Sequence, residues 1–215
     1  MVRPQKYRAL TPLRIMLASA AFLSTTFIPA FGYTQDSSAP APMAAERMNA
    51  PDHETEVLRK DAGTWDVVMT FQPAADAKAS VIKGIVAERR MVGRYLQETM
   101  RPAENSGAPD FRRIAYLTYS GVEGRWQYVS LDTRFPVGIM PAFSFDEGTD
   151  DKVTFEFAPL GFVGMGPEVE GRMMRSNFVI TRDGDDHELM QQYWVTSDGS
   201  GREWLAVQYD CKRRH

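Results

Sequence analysis

The sequence predicts an all-β protein: a single up-and-down antiparallel β-barrel of about ten strands, preceded by a short N-terminal helix. Apolar and polar residues alternate with a period of two from Gly63 onward, and hairpin-length turns rich in Gly, Asp, Asn, Pro and Ser separate the alternating segments. Because no helix-length crossover lies between them, neighbouring strands are expected to run antiparallel. A meander of this length removes its unpaired edges by closing into a barrel. A sandwich with Greek-key crossings is the competing architecture.

The first 32 residues have the three parts of a secretory signal. Residues 1–14 carry four cations and no acid, residues 15–31 are apolar and small, and the segment ends in Pro29-Ala30-Phe31-Gly32. The pattern predicts cleavage near Gly32 and a periplasmic or secreted protein in a bacterium. A retained membrane anchor is the alternative, but the run is shorter than the ~20 residues that a span needs. We therefore expect no membrane span in the mature form.

Charge argues against a nucleic-acid partner. The chain has 25 Lys and Arg against 28 Asp and Glu, and removal of the four cations of residues 1–32 leaves 21 against 28, a net charge of −7. A chain this acidic does not attract a polyanion without a local basic patch, and the short tail 212–214 is the one basic run that stands out. The single cysteine, Cys211, lies near the end of an alternating strand and is expected to be buried and inert.

A flexible linker is predicted at 33–52, because the stretch is rich in Ala, Pro, Ser and Met and shows no sustained period. The folded domain is then 53–215, enough for one core. It opens with a helix that Asp52 can cap and that Gly63 ends. The charged residues of this helix follow the order that suits the helix dipole: Glu54, Glu56, Arg59 and Lys60.

Ten alternating segments follow, each bounded by turn residues. They are Thr64–Phe71, Ser80–Met91, Arg94–Arg101, Arg113–Tyr119, Arg125–Thr133, Ile139–Phe145, Lys152–Ala158, Arg172–Arg182, Glu188–Thr196 and Arg202–Lys212.

The start of the first strand carries a resemblance to known barrels. Gly63-Thr64-Trp65 directly follows the short helix and resembles the Gly-x-Trp that begins lipocalins and other calycin barrels. In that group the Trp closes one end of the barrel and is often covered by a basic residue of the last strand. The resemblance implies that Gly63 and Trp65 are structural, with Lys212 or Arg213 as the cover.

The wider order of motifs is similar to the bacterial family called Domain of Unknown Function 1579. His53 and Leu58 precede the Gly-x-Trp, the run 90–98 follows, and Tyr119, Gly124, Leu131-Asp132, Tyr209 and a basic tail come after it. The similarity covers nearly all of 53–213 and implies a calycin-like fold without implying an activity. One departure is Ser130, where the family has an aromatic residue two positions before the Asp.

Few residues point to metal, cofactor or nucleophilic chemistry. His53, His187 and His215 stand alone in their segments, so neither a metal site nor haem bound through His187 is expected. No Gly-x-Ser-x-Gly elbow and no Gly-rich phosphate loop is present in the sequence, and no cofactor is expected. Strand carboxylates remain as candidates for acid–base chemistry: Glu88, Glu98, Asp132 and Glu156, with Arg89, Arg90, Arg94 or Arg175 as partners. The alternative is that most of these charges face solvent, as a period of two predicts for half of each strand.

A barrel of roughly eight to ten strands can hold a ligand cavity. An inner wall of aromatic, Met and Gln side chains with a few charges suits a small, mostly apolar molecule with one polar group. The alternative is that the aromatic side chains simply fill the interior. The candidate ligand-binding residues are Arg90, Glu98, Tyr119, Trp126, Tyr128, Asp132, Tyr193 and Trp204.

Two apolar loops, 134–141 and 159–167, support a binding role. Because loops usually lie at the surface, apolar ones call for a ligand, a partner or each other. They are interpreted as a lid at the barrel mouth, as static packing over the barrel end, or as the contact of a homodimer.

Three functional hypotheses result. The first is a binding barrel for a small hydrophobic or amphipathic molecule. The second is an isomerase- or hydrolase-type enzyme in which Glu98 or Asp132 points inward beside a buried Arg or Tyr with a perturbed pKa. The third is an envelope interaction protein with a filled barrel. Fold analogy carries much of the first hypothesis, and a fold does not fix a function.

Overall fold

The computed structural model of the protein describes residues 50–135, 137–161, 173–196 and 201–215. These ranges contain one helix, α1 (His53–Asp61), and eleven strands. The strands are β1 Gly63–Phe71, β2 Ser80–Val92, β3 Tyr95–Pro102, β4 Arg113–Ser120, β5 Arg125–Asp132, β6 Met140–Ser144, β7 Lys152–Phe157, β8 Leu160–Gly161, β9 Met173–Arg182, β10 His187–Thr196 and β11 Trp204–Arg213.

Ten of the strands in the described ranges form one closed antiparallel barrel. The sheet runs β10-β11-β1-β2-β3-β4-β5-β6-β7-β9, and β10 pairs with β9, so the last strand of the row meets the first. The predicted fold class is confirmed, and the sandwich alternative is wrong because a single sheet closes on itself. The two-residue strand β8, which pairs with β9, was not expected.

Helix α1 begins where its cap was predicted. The Asp52 carboxylate accepts hydrogen bonds from the Thr55 backbone N–H at 2.9 Å and from the Thr55 hydroxyl at 2.6 Å. Val57 and Leu58 are buried against the barrel. The helix ends at Asp61, two residues earlier than expected, and Gly63 already belongs to β1.

Trp65 closes the barrel end next to α1. Its indole N–H donates to the Asp61 carbonyl oxygen at 3.0 Å, and its ring lies between two guanidinium carbons, that of Arg89 at 4.7 Å and that of Arg213 at 4.4 Å from the ring centroid. Arg213 also donates hydrogen bonds to the Ala62 and Lys60 carbonyls. The cover that the resemblance implied is therefore Arg213.

Strict alternation along the strands places one set of side chains inside the barrel. In β5 the buried residues are Trp126, Tyr128, Ser130 and Asp132, and the residues between them are more exposed. Cys211 is completely buried, as expected. The interior therefore contains polar and charged groups among its aromatic and aliphatic ones.

The predicted signal 1–32, most of the predicted linker 33–52 and most of the loop 159–167 lie outside the described residues. Among the helices that the structure describes, none combines the length and the apolar character that a membrane crossing requires.

Candidate functional site

The barrel interior contains a cavity of about 30 Å³ near the end opposite α1. Its apolar wall is formed by Phe135, Met140, Phe157, Leu160, Phe178 and Trp194. Its polar lining is formed by Arg113, Tyr128, Ser130, Asp132, Gln192 and Tyr209. The wall is preorganised, since Phe157, Phe178 and Trp194 are 4%, 2% and 3% exposed.

Arg113 is the central cation of the polar lining. Its Nη1 donates to Glu98 Oε1 and its Nη2 donates to the Tyr128 hydroxyl oxygen. The guanidinium carbon also lies 5.1 Å from the centroid of the Tyr209 ring and 5.9 Å from that of Tyr128. Both phenol rings therefore flank one guanidinium group.

Arg134, from the loop after β5, pairs with Asp132 of the polar lining. Its Nη2 donates to Asp132 Oδ2 at 2.6 Å, and its Nε donates to Asp132 Oδ1 at 2.9 Å, which is a bidentate pair. The same Nη2 donates to the Tyr209 hydroxyl oxygen at 3.1 Å. The guanidinium carbon lies 3.8 Å from the centroid of the Phe111 ring. These contacts hold the start of the loop 134–141 over the barrel end.

A second ionic cluster lies deeper, toward α1, around a cavity of about 20 Å³. Arg89 donates from Nε to Glu98 at 2.8 Å and from Nη2 to Glu188 at 2.6 Å. Arg182 donates to both oxygens of Asp61, at 2.8 Å and 3.0 Å to Oδ2 and 3.1 Å to Oδ1. Glu98 accepts from both Arg89 and Arg113, so it links the two clusters.

Burial and charge shift the pKa values of these groups in different directions. Burial raises the pKa of Glu98, but Arg89 and Arg113 outweigh burial and hold it below its ordinary value. Glu188 shares Arg89 and faces the negative charge of Asp61, so burial prevails and its pKa is raised. Burial also raises the pKa of Tyr128 to about 12 and raises that of Tyr209.

The structure brings three of the predicted ligand-binding residues to this site. Tyr128 and Asp132 line the larger cavity, and Glu98 lines the smaller one beside Tyr128. All three are buried. They lie on β3 and β5, and their side chains alternate with outward-facing neighbours.

The other five predicted residues lie elsewhere. Arg90 is exposed and donates to the Gln97 side chain, since it follows the inward-facing Arg89 and so points outward. Tyr119 and Trp126 pack edge to face at 5.4 Å. Trp204 packs on Trp194 at 6.1 Å, and neither it nor the half-buried Tyr193 contributes to the described lining of the two cavities.

Sequence reasoning missed Arg113, Arg134 and Tyr209 as site residues. Arg113 lies on the same face of its strand as the apolar residues Ala115 and Leu117. A charged residue at an alternating position that is otherwise apolar indicates a guanidinium group that points into the barrel. Of the Arg partners named from sequence, Arg89 contacts Glu98. Arg94 pairs with Asp52, and Arg175 lies 3.8 Å from Glu156.

Metal-type side chains do not cluster in the described part of the chain: no group of three or more His, Cys, Asp or Glu residues could hold an ion there. His187 lies at the start of β10, and its Nε2 is 3.1 Å from Asp210 Oδ1.

Comparison with known proteins agrees with the fold. Residues 50–211 match the family described as "Protein of unknown function (DUF1579)". The crystal structure of Rv2717c from M. tuberculosis is 14% identical, with a TM-score of 0.52, and the alignment covers 76% of this chain and 99% of that one. The structure titled EF1p2_mFAP2b bound to DFHBI is 13% identical with a TM-score of 0.31, over 75% and 99% of the two chains. No curated protein matches the sequence.

Proposed function

The chain belongs to the DUF1579 family, and from that premise we propose that its barrel binds a small, mostly apolar molecule that carries one polar group. The observation that supports this proposal is the cavity in which an aromatic wall faces a fixed set of arginine and tyrosine groups. Ligand sites are typically concave and mainly apolar, with a few polar groups that set orientation. The cavity has this composition.

The aromatic rings of the apolar wall pack on one another. The ring centroids of Phe157 and Phe178 lie 5.9 Å apart, and the centroid of the Tyr128 ring lies 5.0 Å from that of Phe178 and 5.8 Å from that of Phe157. Trp194 packs in turn on Phe71 at 6.2 Å, outside this trio. Because these rings hold one another, a ligand that enters the cavity meets a wall that is already ordered.

The size of the cavity limits the ligand. A volume of about 30 Å³ has room for one or two water molecules. A ligand with the size of a benzene ring must therefore displace side chains at the mouth. Leu160 and Met140 are half-buried there and belong to the ends of short strands. We propose that these strand ends yield when the ligand enters, while Arg134 stays paired with Asp132.

The enzyme hypothesis has less support than binding. Glu98 and Asp132 do point inward beside buried arginines, as that hypothesis requires. However, two guanidinium groups hold the pKa of Glu98 below its ordinary value, and such a carboxylate is a weak general base. The third hypothesis is an interaction protein with a filled barrel. The absence of a bound ligand in the mass spectrometry experiment described below would favour it.

We also propose that the protein is exported and loses residues 1–32, on the basis of the basic, apolar and small-residue order of that segment. The mass of the protein recovered from the periplasm of its bacterial host tests this proposal. A chain shortened near Gly32 is expected, whereas a full-length chain in the membrane fraction would contradict it. The same preparation tests a homodimer made by the apolar loops.

The binding proposal is tested by native mass spectrometry of the protein purified without detergent. We expect a co-purifying molecule of defined mass that is released by denaturation. The variant Gln192→Trp fills the cavity and should lose this molecule. Gln191→Trp is the matched control, because Gln191 lies on the opposite face of the same strand and contacts Gln208. Equal retention by both variants, or an empty wild-type protein, would contradict the proposal.

A further inference from the structure

We propose that the polar group of the ligand is a neutral hydrogen-bond acceptor, such as the carbonyl of a ketone, ester or amide, and not a carboxylate. This inference rests on the proposed function and specifies the ligand class of the same cavity. It follows from two properties of the polar lining: its charges are already balanced, and its hydroxyl groups have protons left to donate.

The charges of the lining balance within the cavity wall. Arg113 is paired with Glu98, and Arg134 is paired with Asp132 in a bidentate arrangement. All four side chains are largely buried, with the Arg134 side chain the most exposed at 17%. The wall itself therefore presents one cation, Arg113, and one anion, Asp132, and each is already paired with a group of opposite charge.

An anionic ligand would upset this balance. A carboxylate that approached Arg134 would displace Asp132 or add a third negative charge beside it. In the first case the buried Asp132 would lose its partner, and in the second case two carboxylates would share one guanidinium group, so both cases weaken binding. A carboxylate that approached Arg113 would compete with Glu98 in the same way, because the two Glu98 oxygens already accept from Arg89 and Arg113. A neutral ligand leaves both ion pairs intact.

The hydroxyl groups offer donors to such a ligand. The Tyr209 oxygen accepts from Arg134, and no described residue accepts the Tyr209 proton. The Tyr128 oxygen accepts from Arg113, and no described residue accepts the Tyr128 proton. The arginines thus occupy oxygen lone pairs and leave O–H groups free to donate.

The ionisation state of the phenols supports their role as donors. Burial raises the pKa of Tyr128 to about 12 and also raises that of Tyr209, so both groups keep their protons at neutral pH. Both tyrosines line the same cavity, and both rings lie close to the Arg113 guanidinium. A single carbonyl oxygen, which has two lone pairs, suits this pair of donors.

The test compares three small probes of matched shape: acetophenone, benzoate and α-methylstyrene. The first has a neutral acceptor, the second an ionised carboxylate at neutral pH, and the third no acceptor. Binding is followed by shifts of backbone amide NMR signals of the purified protein. We expect acetophenone to bind at least about tenfold more tightly than either of the others, the effect of one unmatched buried polar group.

Two variants locate the donor. Tyr209→Phe and Tyr128→Phe keep the ring and remove the hydroxyl. Each variant should bind acetophenone more weakly, with an affinity close to that for α-methylstyrene. The affinity for α-methylstyrene should change little. Tyr193→Phe is the matched control, since Tyr193 does not contribute to the described lining of the cavity. The comparison of the three probes on the unmodified protein stands even if a variant fails to fold.

The outcomes separate this inference from the proposed function. If benzoate or α-methylstyrene binds as tightly as acetophenone, the neutral-acceptor inference is overturned, but the proposal that the barrel binds a small molecule still stands. A protein that binds none of the three probes, in which the signals of β5, β9 and β10 do not move, would overturn both.

Discussion

Buried arginine side chains give the barrel interior its chemistry. Arg89, Arg113 and Arg182 are each fixed by at least one buried carboxylate, and Glu98 connects two of them. Breaking such a pair by removing one partner is costly, because it leaves an uncompensated charge in a medium of low polarity. The residues that orient a ligand are therefore also residues on which folding depends.

The first prediction concerns Glu98. Glu98→Gln removes the charge that Arg89 and Arg113 share, and we expect it to lower the free energy of unfolding by about 3–5 kcal/mol. Glu88→Gln is the matched control, because the Glu88 side chain is 53% exposed and pairs with Arg101 on the outer surface. Its expected cost is below about 1 kcal/mol. Urea unfolding measures both, and equal costs would contradict the buried network.

The second prediction is that Glu98 and Glu188 give pH dependences of opposite sign. The folded pKa of Glu98 lies below its ordinary value of 4.5, so its stabilisation is present above pH 4.5 and is lost as the pH falls through the folded pKa. The folded pKa of Glu188 lies above 4.5, so its contribution is greatest below pH 4.5 and declines as the pH rises through the folded pKa.

Urea unfolding of the wild type, Glu98→Gln and Glu188→Gln from about pH 3 to about pH 8 measures these contributions. The stability advantage of the wild type over Glu98→Gln should grow as the pH rises past the folded pKa of Glu98. Its advantage over Glu188→Gln should shrink as the pH rises above 4.5. Parallel pH profiles for the two comparisons would show that the two carboxylates do not differ in this way.

The sequence predicts part of the site at this scale. Glu98, Tyr128 and Asp132 were named as candidates from the sequence, which does not show which face of each strand points inward, and the structure places all three on the buried face. Arg113 was missed, although it also lies on the inward face of its strand. Glu98 is directly opposite Ala115 in the register of β3 and β4, so Arg113 reaches Glu98 diagonally across the two strands. Tyr209 lies on β11, and only closure of the barrel brings it to Arg113.

At the scale of elements, the junction of α1 and β1 is the most constrained part of the fold. Gly63 has φ of +140°, and a β-carbon there would lie 2.8 Å from Arg213 Nη1. That guanidinium is held by the Ala62 and Lys60 carbonyls and by the Trp65 ring. The glycine of the Gly-x-Trp motif is thus required both by its backbone conformation and by the close approach of Arg213.

The third prediction tests this junction. Gly63→Ala should lower the free energy of unfolding by more than about 1 kcal/mol, because alanine disfavours a positive φ and the added methyl displaces Arg213. The matched control is Gly121→Ala in the turn between β4 and β5, where a β-carbon meets nothing within 4 Å. Thermal unfolding measures both variants. A control that is as unstable as Gly63→Ala would mean that the junction is not special.

The elements themselves were largely predictable, since each strand ends in a turn with its own residue signature. Asp183 to Asp186 joins β9 to β10 with Gly184 at φ +71°, a conformation that glycine favours. The strand β8 was missed because two residues are too short to show a period. The end of α1 was placed at Gly63 instead of Asp61, because a glycine that opens a strand and one that ends a helix look the same in sequence.

At the scale of the whole molecule, closure of the sheet creates the cavity. The first and last strands of the chain, β1 and β11, pair with each other, and this places Tyr209 in the same cavity wall as Tyr128, which lies far away in sequence. The sequence predicts that a barrel closes and that its interior is partly aromatic. It does not predict the volume, because volume depends on how the side chains pack after closure.

The most direct test of this account is a crystal structure of the protein grown with acetophenone. The account predicts the phenyl ring against Phe157 and Phe178, and the ketone oxygen about 3 Å from the Tyr209 hydroxyl. Both ion pairs, Arg113 with Glu98 and Arg134 with Asp132, should be unchanged. A cavity filled by protein side chains alone, or a ketone that faces the mouth, would contradict it.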